Sequence, residues 1–145
     1  MEKLRSTHEM EAYIKEKYVD KLNIYLGKAT ELINVFFMEG HAGSPEGIYV
    51  YTDEEGYNYL FTEKGKVRKH EITMEIFEIA YLVMGDVVFN VASEHAAENK
   101  VSNRDFRRVL FEEEKKLWNV LDKRGYEKKC AEIQEILQEN PFIDV

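Results

Sequence analysis

Cysteine is almost missing from this chain. Cys130 is the single one among 145 residues, which excludes an internal disulfide and is compatible with a reducing compartment. Glycine is never clustered: all eight stand singly at expected turns and helix ends, so the glycine-rich loop that cradles a phosphate between a strand and a helix is absent and no nucleotide site is expected. Histidine is scarce and scattered, at positions 8, 41, 70 and 95, with no His-Glu-x-x-His or paired Glu-x-x-His pattern. The nearest approach is Glu94-His95 with Glu98, one turn apart on a helix; one imidazole and two carboxylates lack the further ligands of a closed metal site. The N-terminal MEKLRSTHEMEAYIKEK has no apolar signal core, and no unbroken apolar run reaches the roughly 20 residues of a membrane span. Neither repeats nor low-complexity linkers appear. The expectation is one domain, 1–145, working in the cytoplasm without metal, cofactor or catalytic group.

Basic charge is also in short supply. Acidic residues number 28 against 20 Lys plus Arg, a formal net charge of -8 and a pI near 5.1. Such a surface repels phosphate backbones, so direct nucleic-acid binding is disfavoured, and it favours cationic protein partners. It also keeps a protein dispersed, so charge alone leaves both readings open.

What the chain does have is one dominant apolar stretch, Thr73 to Lys100. Ile76, Ala80, Val83, Val87 and Val91 form one helical series, and Phe77, Tyr81, Met84, Val88 and Ala92 an adjoining one, widened by Ile79, Leu82 and Phe89. A helix apolar over most of its circumference belongs in the middle of a fold, so this is expected to be a central buried helix and not a membrane anchor. Thr73 offers an N-cap, and Gly85-Asp86 a kink or a close approach. Around it, Ser6 to Glu9 has the capping-box form before Met10, Ile14, Tyr18, Leu22 and Tyr25, a helix ending near Gly27. The run from Lys28 to Glu39 suggests a short second helix stopped by Gly40. From Ile48 the period changes to two: Ile48–Thr52, Tyr57–Thr62 and Lys66–Ile72 read as three antiparallel strands, with glycines in both turns. Both faces of this sheet carry tyrosine, either packed under helices or exposed as a platform. Ser102 caps a helix with Phe106, Val109, Leu110, Leu117, Val120 and Leu121 inward and Phe111 and Trp118 on a separate flank, stopping at Gly125. Arg104, Arg107 and Arg108 on that helix are expected to meet Asp86, Asn90 or Glu94. A last helix carries Tyr126, Cys130, Ile133 and Leu137 on a buried stripe and breaks at Asn140-Pro141, after which Phe142 and Ile143 fold back. The fold class is α+β: a small three-stranded antiparallel meander enclosed by four to five helices around the central one.

The segments DEEGYNYLFTEKGKVRKHEIT, DVVFNVASE, DFRRVLFEEEKKL and EIQEILQENPF, in that order, resemble a family of bacterial polymorphic-toxin immunity proteins, immunity protein family sixty-three, over Ile48 to Phe142. The resemblance implies a non-enzymatic inhibitor, made beside a secreted or contact-delivered toxin and binding it in the producing cell. Many such toxins are nucleases with cationic clefts, which an acidic inhibitor would complement. On that reading the candidate contact residues are Asp53, Glu54 and Glu55 at a hairpin tip, Glu112, Glu113 and Glu114 on a helix, and Tyr51 and Trp118 as aromatic anchors. Oligomeric state is not legible. The competing reading is a regulatory or adaptor domain holding a peptide or small ligand on the tyrosine side of the sheet.

Overall fold

The computed structural model describes residues 3–145. The first element forms where the capping box places it. The Ser6 hydroxyl accepts the Glu9 N–H at 3.1 Å, and the Glu9 carboxylate accepts the Ser6 N–H at 2.9 Å. Behind it α1 (Thr7–Ile14), a π-helical turn (Lys15–Val19) and α2 (Asp20–Leu26) run as one rod to Gly27, whose φ of 69° ends it. Met10, Ile14, Tyr18 and Leu22 are fully buried along one side, while Tyr25 turns partly outward.

The sheet has four strands, not three. β2 (Gly47–Asp53), β3 (Gly56–Glu63) and β4 (Lys66–Thr73) make the expected antiparallel meander, and a two-residue β1 (Val35–Phe36) lies parallel to β2 in the order β1-β2-β3-β4. The expected second helix over Lys28 to Glu39 does not form: the segment is turn and β1. Pairing with β2 overrides the local apolar run. Val35 and Phe36 register with Ile48 and Tyr49, the Ile48 N–H donates to Asn34 O at 2.8 Å, and the Phe36 ring packs on Tyr49 at 5.3 Å. Gly47 permits this approach, since a Cβ there would stand 2.9 Å from Asn34 O at a φ of 155°. The β3–β4 turn is of type I′, with positive φ at both Lys64 (52°) and Gly65 (75°).

Three helices complete the fold: α3 (Ile76–Glu98), α4 (Arg107–Leu121) and α5 (Lys123–Glu139). By length and composition α3 would pass for a membrane span; ten of its 23 residues are buried against the rod, the sheet and α4. Two details differ from expectation. Thr73 ends β4 and its hydroxyl accepts the Glu75 N–H at 3.1 Å, leaving Glu75 as the N-cap of α3 with no side-chain bond. Gly85 meets no close neighbour, and Phe89 points outward, 47% exposed.

The end of the chain departs further. Ser102 does not cap α4; Phe106 stands at the N-cap without a side-chain bond, and Asp105 just before it accepts the Arg107 N–H at 2.9 Å. The buried stripe of α4 is Leu110, Phe111, Glu114, Leu117, Trp118 and Leu121, so Phe111 and Trp118 belong to the core and Phe106 does not. The helix stops at Leu121, four residues before Gly125, because Asp122 leaves helical geometry and caps α5 through the Arg124 N–H at 2.9 Å. Gly125 serves a different purpose: a Cβ there would stand 2.4 Å from Trp118 Cε3, so glycine lets α5 lie against the indole. Trp118 in turn stacks on Tyr81 at 4.6 Å and meets Tyr18 edge-on at 6.4 Å. The arginines of α4 do not reach α3. Arg107 pairs with Asp105 at 2.9 Å, and Arg108 and Arg104 hold Asp144, at 2.8 and 3.5 Å, which fastens the C-terminal tail over α4. Phe142 folds back onto Phe111 at 6.2 Å, but Ile143 remains 74% exposed.

Candidate partner-binding surfaces

The β2–β3 turn brings one of the expected clusters together. Asp53, Glu54 and Glu55 are all exposed, and the β2 ladder carries Tyr51 two residues behind them. Asp53 is committed to the turn itself. Its carboxylate accepts the Glu55 N–H at 2.9 Å; burial pushes its pKa up, but hydrogen bonds from Asn58 and from the Glu55 and Gly56 amides outweigh that and hold it below the usual range. Glu54 and Glu55 are the acids left facing outward. Tyr51 lies in a small cluster with Tyr49 and Leu60 on the face of the sheet away from the helices, and its pKa is raised by burial and then by Asp53, Glu39 and Glu55. The sequence reading missed Glu39, which is 14 positions from the tip; strand pairing at β1 is what carries it there.

The other cluster does not hold together as a surface. Trp118 is fully buried and Glu114 is 5% exposed, so neither reaches a partner in this fold. The Glu114 pKa is raised by burial, and the Lys129 ammonium 3.6 Å away only partly offsets this. Glu113 lies 3.5 Å from His95 Nε2, and Glu112, still exposed, pairs with Lys115. A signal was present in the sequence: position 114 continues the apolar series through 110, 111, 117, 118 and 121, which puts one acid in the middle of a core stripe. The tyrosine platform is also absent. Tyr57 and Tyr59 pack on the helix side and Tyr49 and Tyr51 on the other, all less than a tenth exposed.

Two concavities stand out. A groove of about 600 Å3 lies between the N-terminal rod and the chain leading into β1, lined among others by Val19, Leu32, Val35, Phe36 and Met38, with Glu11, Asp20 and Glu31 at its rim. The segment that forms one wall exposes large apolar side chains: Ile33 and Met38 are 72% and 56% exposed. A more polar cleft of about 440 Å3 opens under β4, but there Lys128 pairs with Glu78 at 2.7 Å and Lys129 with Glu132 at 3.2 Å, so its charges are already matched.

These surfaces are made of exposed charged and apolar side chains. Among the described residues no three His, Cys, Asp or Glu side chains are gathered as metal ligands, and Cys130 is a half-buried free thiol beside Tyr126. What they present is contact area, acidic at the hairpin tip and apolar at the groove, the properties of a surface that meets another protein. Residues 53–135, more than half of the chain, match the family model described as Immunity protein 63, and the chain belongs to that family. No curated protein and no solved structure matches it.

Proposed function

We propose that this protein neutralises one cognate bacterial toxin domain by binding it without covalent chemistry, in the cytoplasm of the cell that makes both. The observation that carries the reading is the family match over residues 53–135, which begins at the acidic hairpin tip. The net charge of -8 supports a cationic target, and a nuclease domain, whose cleft must attract phosphate, is the target of that kind. Glu54 and Glu55, with the exposed Glu39, form the contact edge at the tip, over a buried Tyr51; Glu112 is a further exposed acid on α4. Occlusion of the toxin's working surface then needs only complementary shape and charge.

The direct test is co-expression with the toxin domain encoded by the neighbouring reading frame. Cells carrying both survive and cells carrying the toxin alone do not; death of both, with the two proteins present and folded, overturns the proposal.

A further inference from the structure

We infer that the groove between the N-terminal rod and β1 is a second docking site, and that its occupant is an amphipathic basic segment of the toxin, one apolar face flanked by Lys or Arg. This rests on the function proposed above and adds a second contact surface to it. The groove is lined by Val35, Phe36 and Met38, and the strongly exposed Ile33 lies in the same segment, so an apolar floor stands open to water where a stable fold ordinarily hides such area. Asp20 and Glu31 on its rim are exposed and make no ion pair among the described residues, whereas Lys15, the one cation in its lining, is occupied by Glu11 at 2.6 Å. The free charge around the floor is therefore negative. A second copy of this chain would set these unpaired acids against an equally acidic surface, which disfavours self-association and favours a cationic occupant.

The segment that walls the groove also runs towards the acidic tip. Phe36 lines the groove and packs on Tyr49 at 5.3 Å, and the exposed Glu39 follows one residue past Met38. One toxin surface can span both. No groove residue falls within 53–135, so the groove lies outside the stretch matched to the family.

The test uses the full chain and the toxin domain from the neighbouring reading frame, with affinity and rates measured at low and high salt. Ile33→Ser/Met38→Ser is expected to weaken binding by about tenfold or more, mostly through faster dissociation. Asp20→Lys/Glu31→Lys is expected to slow association, with the difference shrinking as salt rises. All four positions are exposed, and unchanged melting temperatures confirm that the variants fold. If the unaltered chain binds and both variants stay within about twofold of it, the groove is overturned and the toxin reading stands. If the unaltered chain does not bind, both fall. Concentration-dependent dimers in sedimentation that the groove variants abolish would make a second copy the occupant and overturn the inference.

Discussion

Glu114 is the residue whose placement costs the fold most obviously. It sits among Leu110, Phe111, Leu117 and Trp118 with only the Lys129 ammonium, 3.6 Å away, to balance it. Burial raises its folded pKa above the ordinary 4.5, so the folded state holds the proton after the unfolded chain has released it. Stability at this site therefore falls as pH rises from 4.5 through the higher folded value. Glu114→Gln removes that loss: its melting temperature should exceed that of the unaltered protein at pH 8 and the gap should close below pH 4.5, as read by calorimetry across the range. Gly125→Ala makes the opposite kind of change. It pushes a methyl into the Trp118 ring that α5 rests on, and should destabilise by about 1–3 kcal/mol in denaturant unfolding unless the indole can shift.

At the level of elements, the ends are held by charge and the turns by backbone geometry. The C-terminal tail is fastened by Asp144 on Arg108 and Arg104, with the Asp105 N–H donating to Asp144 Oδ1 at 2.8 Å and the Val145 N–H to Asn103 O at 2.9 Å. The hydrogen bonds from Arg108 lower the Asp144 pKa from 3.8 to about 2, and those from Arg107 lower Asp105 in the same direction. Depressed carboxylates stabilise above their unfolded pKa, so the clamp is complete above about pH 3.8 and is lost towards pH 2. Hydrogen-exchange protection of the Asp105 and Val145 amides should collapse in that window, ahead of the core helices. In the β3–β4 turn, Lys64 holds a left-handed φ that asparagine adopts more readily; Lys64→Asn should raise stability by roughly 0.5 kcal/mol in urea unfolding.

At the scale of the whole molecule, charge acts through the rate of encounter. If the acidic tip guides a cationic toxin, Glu54→Lys/Glu55→Lys should slow association by about tenfold at low salt, with a smaller effect at high salt and little change in dissociation, in stopped-flow mixing. Both side chains are exposed and neither builds the turn, which Asp53 does, so the comparison isolates charge from folding.

Local pattern was enough to find the capping box at Ser6, the meander with its glycine turns, the buried α3 and the break at Asn140-Pro141, because each depends on neighbours within a few residues: a hydroxyl three positions from a glutamate, alternation of period two, apolar spacing of period 3.6. The segments that identify the family were legible for the same reason. The rest depended on what arrives from far along the chain. Within residues 28–39, Val35–Phe36 became an edge strand because β2 offered partners, and no local preference within that run records this. Asp122, not Gly125, ended α4: it leaves helical geometry to cap α5, Tyr18, 104 positions earlier, donates to its carboxylate at 2.7 Å, and α5 needed the glycine to reach Trp118. Arg108 found Asp144, 36 positions on, where helix spacing alone had suggested the acids of α3. The groove with its unpaired rim acids exists only where the rod and the β1 segment lie side by side. Burial, charge pairing and open apolar surface are properties of that three-dimensional neighbourhood, and so the tertiary structure decided which of the chain's many acids and aromatics stand free to meet a partner.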